Sequence, residues 1–151
     1  MNLYKQFFFE SYNFDAGTGL LELHYALDDR LQFTETYRFD FPFVDYDPVA
    51  LDRALQSLFF MAGVSYYKTF VPREIIVHAG QLDEDTAYFF SKTYRRGLGE
   101  FWYVNNLDPH TPVHFPVTKT TPASPLAVPG EGLLVGLGGG KDSLVSIELL
   151  R

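Results

Sequence analysis

Between Leu20 and Phe39 the hydrophobic residues recur at every second position, and that period leaves few folds open. Leu21, Leu23, Tyr25 and Leu27 alternate with Glu22, His24 and Ala26, while Leu31, Phe33, Tyr37 and Phe39 alternate with Gln32, Thr34, Thr36 and Arg38. Successive side chains of a strand point to opposite faces. This period therefore sets one apolar face on a core and one polar face in water, as in an antiparallel sheet. The pattern runs from about Lys5 to Phe43, punctuated by DAGTG (Asp15 to Gly19) and DDR (Asp28 to Arg30). Those turn residues predict a three-stranded meander.

An apolar sheet face needs a cover, and DYDPVALDRALQSLFFMAGVSYYK supplies a helix. Asp47 is placed to cap it and Pro48 suits the first helical position. Leu51, Leu55, Leu58, Phe59 and Ala62 fall on one side, and Gly63 marks the end or a close packing contact. After Pro72, REIIVHA reads as a short buried strand. LDEDTAYFFSKTYRRG opens with an acidic turn and predicts a helix to about Arg96, ended by Gly97. Together these elements predict an α+β domain, an antiparallel meander plus helices, over residues 1–108. Six of the nine prolines then fall between Pro109 and Pro129. Each removes a ladder donor and biases its predecessor away from helix, which predicts an extended connector over residues 109–131.

With 46% hydrophobic and 17% aromatic residues, the chain has ample material for one core. Its net charge of −7, with 12 Lys and Arg in no basic stripe, argues against nucleic acid as a partner. The absence of cysteine excludes disulfides and thiol chemistry in these residues. The N-terminal stretch MNLYKQFFFESYNFD is neither signal peptide nor membrane span, so no membrane partner and a cytoplasmic location are expected. His110 and His114 flank Pro112, which forbids the helix that would bring them to one metal. Asp83, Glu84 and Asp85 suit a helix N-terminus better than a metal cluster.

Residues 132–151, GLLVGLGGGKDSLVSIELLR, start a second unit. Leu133 to Leu137 form an apolar run expected of a strand buried in a parallel sheet, and SLVSIELL is patterned as an amphipathic helix. Between them lies GGGKDS, Gly138 to Ser143. Glycines let backbone N–H groups turn toward an anion at a helix N-terminus, where a Cβ would obstruct both positive φ and close approach. The Walker pattern fails at Val135 and Asp142, and the dinucleotide pattern started at Gly136 meets Lys141 at its last position.

GGGKDS instead resembles the S-G-G-x-D-S loop of the PP-loop ATP pyrophosphatases, with Gly138 in place of the usual first Ser. The resemblance implies the first strand, loop and helix of a Rossmann-like α/β domain, here incomplete. It also implies cleavage of ATP between its α- and β-phosphates. Gly138, Gly139, Gly140 and Ser143 would hold the departing pyrophosphate, Asp142 would sit near its Mg2+, and Lys141 would add electrostatic support.

Two more stretches, AGVSYYK (Ala62 to Lys68) and YRRGLGEFWYVNNL (Tyr94 to Leu107), precede the Pro-rich connector and the loop. In that order the three blocks resemble the UDP-N-acetyl-α-D-muramoyl-L-alanyl-L-glutamate epimerases of the MurL type. The resemblance implies an ATP- and Mg2+-dependent conversion of the terminal L-Glu of UDP-MurNAc-L-Ala-L-Glu to D-Glu in peptidoglycan synthesis. Adenylating the carboxylate would acidify the neighbouring Cα proton enough for a protein base. Glu100 and Lys68 are the candidates for that base. Glu100 follows Gly97 and Gly99 and precedes Phe101 and Trp102, an apolar setting expected to raise a carboxyl pKa. Tyr66 and Tyr67 are candidates for substrate contact, with core packing as their alternative role. Two other readings stay open, namely another PP-loop enzyme (an amide ligase or tRNA-modifying enzyme) and a non-catalytic recognition or dimerisation domain. Because one strand and one helix cannot close a parallel sheet, these residues alone are expected to be inactive.

Overall fold

The computed structural model describes residues 4–28, 30–122, 124–125, 135–136, 138 and 140–151. The expected meander is present as β1 (Gln6–Asp15), β2 (Leu20–Leu27) and β3 (Leu31–Arg38), paired antiparallel in sequence. The expected strand after Pro72 is β4 (Glu74–Val77). It lies parallel to β1, which gives a mixed sheet of order β3-β2-β1-β4. Two tight turns hold the register. At the first, Gly19 has φ +67° and a Cβ there would stand 2.3 Å from the Phe39 carbonyl oxygen, so only glycine fits. At the second, Asp28 Oδ1 accepts the Lys5 and Gln6 backbone N–H groups at 3.1 and 2.9 Å.

The period-two reading holds along β2, where Leu21, Leu23, Tyr25 and Leu27 are at most 1% exposed. On β1 the same face carries Phe7 and Phe9. A bulge between Phe9 and Ser11 then shifts the register and leaves Glu10 outside the paired ladder, where its Oε2 lies 2.8 Å from His78 Nδ1. Three helices cover this face. Helix α1 (Pro48–Ala62) begins as expected, with Asp47 Oδ1 accepting the Val49 and Ala50 N–H groups at 2.8 and 3.3 Å. It buries Leu55, Phe59 and Phe60 on the sheet. Gly63 both ends this helix and is its closest approach to the sheet, since a Cβ would lie 2.6 Å from Phe9 Cε1. A single turn, α2 (Val64–Tyr67), follows.

Helix α3 (Glu84–Gly97) starts at Asp83 and ends within a residue of the expected Arg96, burying Ala87, Phe90 and Tyr94. Beyond Gly97 the sequence predicts no further helix, and there the chain forms α4 (Gly99–Val104), a short turn of helix set off by Leu98. Trp102 of α4 is 1% exposed and donates its indole N–H to the Arg95 carbonyl at 2.9 Å, which fixes the α3–α4 corner.

The Pro-rich stretch is extended and carries neither helix nor strand through Thr118. Its first part is nonetheless bound into the core. Val113 and Phe115 are each 5% exposed, the Phe115 N–H donates to Ser91 Oγ at 2.9 Å, and the Thr118 and Lys119 N–H groups both reach the Leu82 carbonyl. Last comes α5 (Lys141–Leu150), whose described residues bury no side chain. Of the strand expected over Leu133 to Leu137, only Val135 and Gly136 lie within the described residues, and they are in no strand. No helix among the described residues is long and apolar enough to cross a membrane.

Candidate functional site

The glycine loop leads into α5 as the sequence implies, with Gly140 at the N-cap in an extended conformation (φ −87°, ψ 163°). Gly139 lies outside the described residues. The positive φ expected of the loop glycines is absent from Gly138 and Gly140; among the described glycines only Gly19 and Gly80 adopt it. A Cβ at 138 or 140 would have no neighbour within 4 Å, so the loop is open there and no contact among the described residues demands glycine. Among the described residues no side chain caps α5, which leaves its first N–H groups their donor capacity. Ser143 Oγ donates to the Gly140 carbonyl at 2.7 Å and bridges loop and helix. Asp142 occupies the first turn and, like Lys141, is exposed. An open, uncapped helix start with a Ser and an Asp in its first turn fits the binding of a phosphate and its divalent cation.

The other candidates lie on the α+β unit and are not all accessible. Tyr67 is 1% exposed, with its ring 5.9 Å from Phe7 and 5.4 Å from Tyr94. Burial pushes its hydroxyl up to about 12. As a core aromatic it has no free edge for a substrate, so of its two expected roles the packing one is realised. Tyr66 is half-buried and stacks on Tyr25 at 5.1 Å. Desolvation first, then the charge of Glu35 and a hydrogen bond to it, raise its hydroxyl.

Lys68 ends α2, while Glu100 is exposed in the first turn of α4. No ion pair joins them. The apolar setting expected for Glu100 does not reach its carboxylate. Trp102 is turned into the core and Phe101 is half-buried, whereas Glu100 faces solvent. Two clefts share Trp102 and Leu107. One, of about 540 Å³, adds Tyr103 and Asn106; the other, of about 370 Å³, adds Arg73 and Asp108. Glu100 lines neither.

One chemically notable residue was hidden by the strand pattern itself. Glu35 occupies the inward face of β3 between Phe33 and Tyr37, opposite Leu23. Its Oε1 accepts the Tyr37 hydroxyl at 2.5 Å and its Oε2 is enclosed. That hydrogen bond first, then burial, raises Tyr37 to about 12. The available signal was a carboxylate in phase with aromatic residues.

Comparison with known proteins now bears on this arrangement. Residues 1–151 match the family described as MurL N-terminal domain. The chain belongs to that family. Relatives named UDP-N-acetyl-alpha-D-muramoyl-L-alanyl-L-glutamate epimerase include proteins of Xanthomonas oryzae pv. oryzae (42% identical over 144 residues), Micromonospora sp. (38% over 155) and Salinispora tropica (37% over 154). These matches take in 91%, 96% and 96% of this chain but 31%, 34% and 33% of the relatives, so the chain spans about a third of their length. No solved structure matches it.

For this MurL N-terminal domain, the two blocks that carried the likeness outside the loop meet in space. AGVSYYK forms the junction of α1 and α2, and YRRGLGEFWYVNNL forms the corner of α3 and α4. Tyr67 of the first packs edge-on against Tyr94 of the second at 5.4 Å. Their shared role in the described structure is to fix these helices on the sheet.

Proposed function

We propose that this chain is the N-terminal part of an ATP- and Mg2+-dependent epimerase that converts the terminal L-Glu of UDP-MurNAc-L-Ala-L-Glu to D-Glu. Pyrophosphate leaves as the carboxylate is adenylated, and after reprotonation on the other face water cleaves the acyl-adenylate to D-Glu and AMP; the process served is peptidoglycan precursor synthesis. The observation that carries this reading is the family match across residues 1–151, joined by three relatives bearing the epimerase name.

The chemistry gives the glycine loop a purpose on an epimerase. Taking the proton from Cα beside a free carboxylate would place a second negative charge next to the first. ATP, when bound, supplies the adenylyl group that converts this carboxylate into a neutral acyl group able to spread the charge. The chain's own share is the leaving phosphate. Backbone N–H groups of Gly138 to Gly140 and of the first turn of α5 would hold pyrophosphate, joined by the Ser143 hydroxyl on turning from the Gly140 carbonyl. Asp142 would sit near its Mg2+, and Lys141 would offset charge. The uncapped start of α5 supports this assignment, because a capping side chain would compete for the same N–H groups.

At Cα, Glu100 and Lys68 are the proposed proton-transfer residues and Tyr66 the proposed substrate contact. A base must come within hydrogen-bond reach, about 3 Å, of the proton it moves, and exposed Glu100 is free to do so. The activity is assigned to the full-length enzyme. The 151 residues alone are proposed to be inactive, since the adenine and ribose sites of a Rossmann-like domain lie on later strands.

The test incubates the full-length enzyme with UDP-MurNAc-L-Ala-L-Glu, ATP and Mg2+, then measures AMP and the configuration of the glutamate. The reading expects D-Glu and AMP to appear together and Asp142→Asn to abolish both. AMP accompanied by an amide or a modified tRNA instead of D-Glu would contradict it.

A further inference from the structure

Helix α3 gathers three cations on one side of its C-terminal half. Lys92, Arg95 and Arg96 are spaced i, i+3 and i+4, and the extended segment bearing His114 runs beside them. A groove of about 410 Å³ opens between helix and segment. Ser91 ties its two walls together, donating to the Ala87 carbonyl at 2.7 Å while accepting the Phe115 N–H at 2.9 Å. Val113 and Phe115, both buried, anchor the segment to the core, so the groove belongs to a rigid part of the fold.

Nothing on the described chain neutralises this charge. The ion pairs among the described residues are Arg38 with Asp40, His78 with Glu10, and Arg151 with Glu148, none of which involves the groove. The one acid on its rim, Glu84, stands eight residues before Lys92, about 12 Å along the helix axis. The helix dipole accounts for Arg95 and Arg96 in the last turn. It does not account for Lys92 a turn earlier, for His114 on the facing segment, or for the open volume between them. In a chain of net charge −7, three of the 12 Lys and Arg residues within a single turn make a local anion site.

The groove also carries an aromatic surface. Tyr88 is 65% exposed, one turn before Lys92, and the Lys92 ammonium lies 5.4 Å from its ring centroid. An exposed ring about 6 Å along the axis from the first cation, followed by two guanidinium groups a turn further on, matches the order of base and phosphates in a nucleotide. We infer that this groove binds a nucleoside diphosphate, with the base against Tyr88 and the diphosphate held by Lys92, Arg95 and Arg96. That the nucleoside is uridine, the UDP end of the sugar substrate, rests on the epimerase reading; the anion site itself rests on the groove.

The test is calorimetric titration of the full-length protein with UDP. Removing two guanidinium contacts in R95A/R96A should weaken UDP roughly 30-fold, and Y88L about tenfold. Lys92→Gln, on an exposed side chain remote from the Trp102 contact, should weaken UDP about fivefold and covers the case in which the double variant folds poorly. Asp142→Asn, at the other proposed phosphate site, should bind UDP as the wild type does. No UDP binding by the wild type, unchanged affinity in both cation variants, or loss of UDP in Asp142→Asn alone would overturn the assignment. Groove-dependent UDP binding without any epimerisation would leave the groove standing and remove only the epimerase reading.

Discussion

The Tyr94 hydroxyl of α3 donates to the carbonyl of Phe60, in the last turn of α1, at 2.6 Å, and both residues are buried. On the sheet side, the Tyr25 hydroxyl does the same for the Phe59 carbonyl at 2.8 Å. The final carbonyls of a helix lack intrahelical partners; the Tyr94 hydroxyl serves that of Phe60 inside the core, while Tyr25 adds a second donor to the Phe59 carbonyl, which also accepts the Gly63 N–H at 3.3 Å. Tyr94→Phe should therefore destabilise the domain by about 1–2 kcal/mol, because it leaves the buried Phe60 carbonyl short of a donor, and Tyr25→Phe by about 1 kcal/mol or less, because the Phe59 carbonyl keeps the Gly63 N–H. Urea unfolding of the single variants measures this. Midpoints matching the wild type would show that the hydroxyls contribute nothing net.

Gly63 is required for space rather than for conformation. Its φ of −54° is ordinary helix, yet a Cβ would meet Phe9 Cε1 at 2.6 Å and Tyr25 Cε1 at 3.1 Å, both in a packed aromatic cluster. Overpacking of this kind costs about 1–3 kcal/mol, so Gly63→Ala should lower thermal stability even though alanine is the better helix former. A rise in melting temperature would mean that the rings move aside without cost.

Residues 113–119 should behave as part of the folded unit. Phe115→Ala is expected to cost about 3–5 kcal/mol by leaving a cavity among Phe9, Phe90 and Tyr94. A chain shortened to end at Asp108 should lose cooperative unfolding or melt well below the 151-residue chain. Equal melting of the two would show that the strap rests on the core without supporting it.

Alkaline pH should unfold the domain through its tyrosines. Burial holds the Tyr67 hydroxyl up at about 12, against 10.0 for the free side chain. The folded state thus keeps a proton that the unfolded chain releases near pH 10. This stabilisation is fully present below pH 10 and is lost as pH rises through about 12, amounting to about 3 kcal/mol for Tyr67. Circular dichroism and the Tyr67 share of tyrosinate absorbance, taken as wild type minus Tyr67→Phe, should change together in that window. A Tyr67 share that forms near pH 10 with the fold intact would contradict the assigned burial.

How much of this was legible in the sequence differs by element. The period-two run from Leu21 to Phe39 and the Asp47-Pro48 start of α1 report local backbone geometry, and β1–β3 and α1 follow them. The strand after Pro72 was legible as a strand, but its parallel place beside β1 was not, because four residues carry no signal of their partner. The packing of Val113 and Phe115 was obscured by the prolines around them, which report missing ladder donors and are silent on side-chain burial. At the candidate site, the glycine loop with its Asp and Ser was readable as a motif, whereas the lack of a side-chain cap on α5 among the described residues was not. The exposure of Glu100 and the burial of Tyr67 depend on which way α4 and α2 turn, and a short helix of four or six residues carries too little periodicity to show that. Glu35 was missed because a single polar residue in an apolar phase disappears into the pattern around it.

The proton-transfer assignment makes Glu100 and the loop separable. In the full-length enzyme, Glu100→Gln should lower epimerisation by about 100-fold or more while leaving ATP cleavage to AMP detectable, as expected for loss of a general base. Asp142→Asn should lose AMP formation first. Equal and complete loss of AMP formation in both variants would remove Glu100 from the Cα step.

The central claim is that ATP cleavage serves proton exchange at the glutamate Cα. Run in D2O with UDP-MurNAc-L-Ala-L-Glu, ATP and Mg2+, the full-length enzyme should form AMP together with glutamate carrying deuterium at Cα. AMP formed with no deuterium at that carbon would contradict the account.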